Sequence, residues 1–90
     1  MEFVKRLSPS EAKYKYLGLN KKAIEELPEQ QEIFKLKFKN KTYNMKVNSK
    51  NCIMLTQLYS EYEFQPEDEV KIIKKKDNSF ELIVSSVHSM

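Results

Sequence analysis

The sequence is short of the residues that most catalytic and cofactor chemistry requires. Among ninety residues it has one glycine, one cysteine, one histidine and no tryptophan. A glycine-rich loop that cradles phosphates cannot be built from Gly18 alone. Cys52 has no partner for an internal disulfide and cannot form a cysteine zinc site; it reads as a small apolar residue in a reducing compartment. His88 stands near the end of the chain, where fraying is expected, so no cysteine–histidine nucleophile pair can be assembled. No apolar run approaches the roughly 18–20 residues of a membrane span. The first residues, Met1 to Arg6, lack the order of a signal peptide. The expectation is a soluble protein of the cytoplasm or nucleus, with no membrane partner and no cofactor. Ninety residues fit one compact domain, 1–90, ordered from about residue 2 to residue 86. A chain of this size buries only about 60–65% of the surface its unfolded form exposes, so a cavity for a bulky cofactor would consume most of its core.

Charge is plentiful, and its arrangement carries more than its sum. The net charge of +3 hides a cancellation between 16 basic and 13 acidic residues. Six basic residues (Lys5, Arg6, Lys13, Lys15, Lys21, Lys22) face one acid, Glu11, between Lys5 and Lys22. Six lysines and no acid follow from Lys35 to Lys50. Acids gather instead at Glu25–Glu32 and at Glu61–Glu69. If the basic segments meet in space, they form the electrostatic footprint of a polyanion binder; the plainer reading is a solvated, lysine-rich surface.

Periodicity gives the elements. Residues 2–7 read as a strand with Phe3, Val4 and Leu7, followed by an exposed polar loop from Ser8 to Lys13. Tyr14 to Leu19 reads as a second strand. Asn20 caps a helix of about two turns, whose Ala23, Ile24 and Leu27 have helical spacing and which Pro28 ends. Phe34 to Lys39 alternates strictly between apolar and basic residues, and after a turn at Asn40-Lys41 the returning Tyr43, Met45 and Val47 alternate with Asn44, Lys46 and Asn48. This is a hairpin with one buried face and one basic face. A polar connection, Asn48 to Asn51, leads into a short strand at Cys52–Met54. Leu55, Leu58, Tyr59 and Tyr62 then mark a helix over 55–62 by their i, i+3, i+4, i+7 spacing. Val70, Ile72 and Ile73, a turn at residues 76–79, and Phe80, Leu82 and Val84 form a closing hairpin. The predicted fold is mainly β with two short helices (α+β), in the order β-β-α-β-β-β-α-β-β. Closure into a small barrel is the economical way for seven short strands to hide their edges.

Catalysis finds little support in these residues. Glu69-Val70-Lys71 matches half of an E-x-K metal-nuclease pattern, but no aspartate lies on a preceding strand, and a solvent-facing Lys71 is the plainer reading. The acids of the helices and of 61–69 read as solvated faces and turns. Phe34, Phe38, Tyr43 and Phe80 alternate in phase with aliphatic residues and read as core. Tyr14 and Tyr16, which flank Lys15, are the aromatic candidates for ligand contact, as in single-strand RNA binders. With 15 lysines and one arginine, phosphate contacts should dominate over base reading, which falls to Arg6, Asn48 and Asn51.

The element order, with FVKRLSPSEAKYKYLGL, a capped helix ending in LP, FKLKFKNKTYNMKV, LTQLYSEY and FQPEDEVKII, resembles the DNA-binding pseudobarrel superfamily. That superfamily includes plant transcription-factor DNA-binding domains and recognition domains of restriction endonucleases. One departure is visible: Glu67-Asp68 stands where members often have glycine-aspartate. The resemblance implies a seven-stranded open pseudobarrel and two arms that grip the DNA major groove. On this chain the arms are Ser8 to Lys13, including Ser10, flanked by Arg6 and Lys15, and Asn48, Ser49, Lys50 and Asn51 flanked by Lys46. Both fall inside the basic blocks. The leading expectation is a non-catalytic module for double-stranded DNA. The alternative is a small barrel that binds a separately encoded protein partner, such as a regulatory subunit, without nucleic acid.

Overall fold

A computed structural model describes residues 2–76 and 78–86; His88 and Asp77, one at the expected frayed end and one in the last predicted turn, lie outside the described residues. The chain is mainly β. Strands β1 (Glu2–Arg6), β3 (Phe34–Phe38), β4 (Lys41–Met45), β6 (Glu69–Lys76) and β7 (Ser79–Ser85) form one sheet in the order β1-β6-β7-β3-β4. Strands β2 (Tyr16–Gly18) and β5 (Cys52–Met54) form a separate antiparallel ribbon. Pairing is antiparallel throughout except between β3 and β7. Helices α1 (Pro9–Tyr14) and α2 (Lys21–Glu26) and a 3₁₀ turn at Thr56–Ser60 complete the fold.

Seven strands in the expected order are present, and the sheet is open. Closure by a continuous ladder does not occur: β1 and β4 end the sheet, and the β2–β5 ribbon is a separate sheet, joined to the chain leaving β4 by the Val47–Ile53 bridge. The alternation of β3 is realised as read: Phe34, Leu36 and Phe38 are buried while Lys35 and Lys37 face solvent. They pack against Val70 and Ile72 of β6, Phe80 and Leu82 of β7, and Leu17 and Ile53 of the ribbon in one core. Phe34 meets Phe80 edge to face, with ring centroids 5.3 Å apart. Phe64 is enclosed by the rings of Phe38, Tyr59 and Tyr62.

Three local expectations are corrected. The segment expected as an exposed loop, Ser8 to Lys13, is mostly helix α1, and Tyr14 is its last residue rather than the start of a strand. Ser8 and Glu11 form a reciprocal capping box, with Pro9 in the first helical turn, and this satisfies backbone donors that a loop would leave to water. The β3–β4 turn is Lys39-Asn40, one residue earlier than read, and both residues have positive φ, as the type I′ two-residue hairpin turn requires. Residues 55–62 keep the expected inward stripe, with Leu55 and Leu58 buried, but wind as a 3₁₀ turn. No side chain caps its start, whereas Ser8 and Asn20 cap the similarly short α1 and α2.

Glycine scarcity has a visible cost. Lys15, Gln31, Lys39, Asn40, Asn51, Glu67 and Asn78 all occupy left-handed backbone. Asparagine tolerates this region, whereas glutamate at φ 74° does not gain the local hydrogen bonding that makes it cheap. Glu67 is the residue that stands in place of the glycine noted in the sequence. Its N–H donates to the Leu7 carbonyl at 2.8 Å, so the conformation is fixed by the β1 end. Glu67→Gly should therefore raise stability by about 0.5 kcal/mol, the relief of left-handed strain of about 1–2 kcal/mol less the added freedom of the unfolded glycine. Denaturant unfolding, read as a rise in midpoint at unchanged slope, checks this.

Candidate nucleic-acid interface

The two basic segments are brought together by the β2–β5 ribbon. Tyr16 pairs with Met54, Leu17 with Ile53 and Gly18 with Cys52. The first segment runs into β2 and the second is the tight loop that enters β5, so the ribbon fixes them side by side. Between them lies a groove of about 530 Å³ lined by Tyr14, Tyr16, Asn48, Ser49, Lys50, Cys52 and Met54. None of these residues is acidic. Each of the other four grooves described on the molecule carries at least one carboxylate, among them Glu63, Glu2, Glu25 and Glu26.

The first arm is held by one carboxylate. Glu11, only 3% exposed, was read from the sequence as part of an exposed loop, and it is instead the anchor of this region. Its Oε1 accepts from the Ser8 N–H at 2.9 Å, and its Oε2 accepts from the Gly18 N–H at 2.7 Å and lies 2.7 Å from Lys5 Nζ. The Lys5 ammonium also donates to the Gly18 carbonyl at 3.1 Å. Gly18 is not in a left-handed conformation; its use is space, since a Cβ there would sit 3.2 Å from Lys5 Nζ and 3.3 Å from Glu11 Oε2. Burial pushes the Glu11 carboxyl up, but Lys5 and the N–H groups of Ser8 and Gly18 outweigh it and hold it below its ordinary value. The helix is braced from the other side by Tyr59, whose O–H donates to the Ala12 carbonyl at 2.8 Å.

The predicted site residues divide by what they are free to do. Ser10, Lys13, Lys15, Lys46, Ser49 and Lys50 have exposed side chains. Lys13 Nζ lies 5.3 Å from the Tyr14 ring centre and Lys15 Nζ 5.2 Å from that of Tyr59, so both ammonium groups rest on aromatic faces. Arg6 is exposed and 4.0 Å from the exposed Glu67, a surface contact of little strength. Ser8 is committed to capping α1. Asn48 is committed to its own loop: its Oδ1 accepts from the N–H groups of Lys50 and Cys52, at 2.9 and 3.0 Å. Replacing it disturbs the arm itself, beyond any loss of ligand contact. Asn51 is in left-handed backbone, and its Oδ1 accepts from Gln30 Nε2 at 2.7 Å. Gln30, outside both basic blocks, thus braces the second arm; no spacing in the sequence pointed to it.

Asp68 and the E-x-K pattern lie away from the groove between the arms, whereas Glu63 lines a neighbouring groove together with Lys13 and Lys15. Asp68, read as solvated, is fully buried, and its Oδ2 accepts from the Tyr62 O–H and the Gln65 N–H, each at 2.9 Å. Lys71 Nζ lies 3.5 Å from Glu2, and Glu69 stands opposite Arg6 in the β1–β6 register. Among the described residues no helix is long and apolar enough to cross a membrane.

No family model matches the chain, and no curated protein matches it in sequence. Solved structures do share its fold. The N-terminal domain of Helicobacter pylori LlaJI.R1 superposes with a TM-score of 0.78 at 9% identity, over 97% of this chain and 88% of that one. A hypothetical Arabidopsis thaliana protein, At1g16640.1, gives 0.67 at 15% identity, over 96% of this chain and 90% of that one. The likeness is one of fold, the open pseudobarrel-like arrangement of strands that the element order resembles.

Because the folded Glu11 carboxyl titrates below its unfolded value, its contribution to stability is complete above the unfolded value and is lost as pH falls through the folded one. Thermal melts of the wild type and of Glu11→Gln should differ most near neutral pH and converge in acid. A gap that stays constant from neutral pH into acid would mean that the carboxylate charge is not what holds the arm.

Proposed function

We propose that the protein is a non-catalytic module that binds double-stranded DNA, gripping it with the α1 arm and the Asn48–Asn51 loop. The observation that carries this reading is the juxtaposition of two basic segments across the β2–β5 ribbon: Tyr14 and Tyr16 of the first and Asn48 to Lys50 of the second line one groove without carboxylates, and Lys13 and Lys15 line the adjacent groove with Glu63. Lysine ammonium groups on both sides suit phosphate oxygens, which fix register and orientation on a duplex. Exposed Ser10 and Ser49, with the amide nitrogen of Asn48, supply the polar groups for base edges. The sequence resemblance to DNA-binding pseudobarrels and the shared fold support the same reading.

A protein partner is the second reading, and one observation favours it. Val4 and Ile83, both exposed, flank Lys71 in adjacent register positions on the outer face of the sheet, and none of the three lines the groove between the arms. A contact centred there would leave the arms free.

Five cations, Arg6, Lys13, Lys15, Lys46 and Lys50, are available to phosphates. The logarithm of the duplex binding constant should then fall with the logarithm of salt concentration with a slope of about −4.5, and Lys13→Glu and Lys50→Glu should each reduce the slope by about 1 while weakening binding to every sequence. Lys75→Gln, in β6 at 3.3 Å from Glu81 of β7 and outside both arms, should leave both unchanged. Fluorescence anisotropy across a salt series reads these quantities, and a flat response would remove the duplex from consideration.

A further inference from the structure

The β2–β5 ribbon has an unusual outer face. Leu17 and Ile53 point into the core and are fully buried. On the opposite face, where polar residues are the ordinary choice, stand Tyr16, Cys52 and Met54, joined by Tyr14 from the end of α1. Tyr14 is 61% exposed and Met54 44% exposed. An apolar wall therefore lies between the two arms, with Lys50, Ser49 and Asn48 on its rim and Lys13 over the Tyr14 ring.

Phosphate contacts do not account for all of this wall: the Tyr14 and Tyr16 hydroxyls can donate to phosphate oxygens, but the Met54 thioether and the ring faces offer a phosphate nothing. In the major groove of a duplex the apolar group on display is the 5-methyl of a pyrimidine, which sits on the groove floor between the two phosphate rims. A cationic rim around an apolar centre has the same order of chemistry as that surface. Resting on the duplex-binding reading, we infer that Tyr14 and Met54 form a contact for the 5-methyl edge of thymine or 5-methylcytosine, and so determine part of the sequence preference. The methyl packs against the Met54 thioether and the Tyr14 ring, and the neighbouring phosphates lie toward Lys13 and Lys50.

The test uses the whole chain and short duplexes with a randomised centre, made in three forms: with thymine, with uracil throughout in its place, and with uracil together with 5-methylcytosine in place of cytosine. The uracil duplexes lose only methyl groups, and the expected loss in affinity among the tightest-binding sequences is about fourfold per methyl seated, from the burial of one carbon. Met54→Ala should abolish the difference between thymine and uracil duplexes, as should Tyr14→Ser, whereas Ile83→Ala, exposed on the other face, should preserve it. Restored affinity in the third form identifies 5-methylcytosine as a second source of the same contact, and no restoration restricts it to thymine; both outcomes uphold the inference. Equal affinity for thymine and uracil duplexes, with a steep salt response, overturns the inference and leaves the duplex reading standing. Tighter binding to the single strands than to the duplexes also overturns it, in favour of stacking on Tyr14 and Tyr16. Failure to bind any duplex overturns both.

Discussion

A single buried carboxylate, that of Glu11, joins three parts of the chain that would otherwise be independent. It closes the capping box of α1, receives the Gly18 N–H of the ribbon, and pairs with Lys5 of β1. A charge out of water is costly unless its partners replace the lost hydration, and here two backbone donors and an ammonium group do so. Because the same two oxygens serve the sheet edge, the first arm and the ribbon, the position of the arm relative to the second arm follows from this contact together with the β2–β5 register. The Asn48 loop is built on the same plan, with one side-chain oxygen gathering two N–H groups. Both arms are thereby held in shape by acceptors drawn inward, and their lysines are left outside.

The shortage of glycine, which first excluded a phosphate loop, has a different significance in the folded chain. Tight turns and helix ends that glycine often serves are made here by asparagine at residues 40, 51 and 78, and by lysine and glutamate at Lys15, Lys39 and Glu67. The one glycine is placed where no left-handed geometry is needed. Its missing side chain makes room for the Lys5–Glu11 pair.

The strands were legible because burial on one face imposes a period of two, which Phe34-Leu36-Phe38 and Tyr43-Met45-Val47 display without interruption. The two basic segments were legible through charge, since no acid interrupts the lysines from Lys35 to Lys50; their role as arms came from the resemblance and belongs to the proposed function. Helix α1 was missed because it has no apolar stripe; its inward residue is Glu11, and hydrophobic periodicity cannot register a buried acid. The sequence did carry the other signature, Ser8-Pro9-Ser10-Glu11, in which the serine and the glutamate stand at capping-box spacing. Asp68 escaped notice for the same reason as Glu11. The commitment of Asn48 to its own loop could not be told from a free asparagine, because both have the same local sequence, and the bracing of Asn51 by Gln30 joins residues 21 positions apart.

The grip of the two arms on a duplex is tested most directly by following backbone amide resonances of the full chain while a short random DNA duplex is added. The account predicts shifts confined to residues 6–16 and 46–54, the two segments that the ribbon brings together. Shifts centred on Val4, Lys71 and Ile83, or none at sub-millimolar duplex, would contradict it.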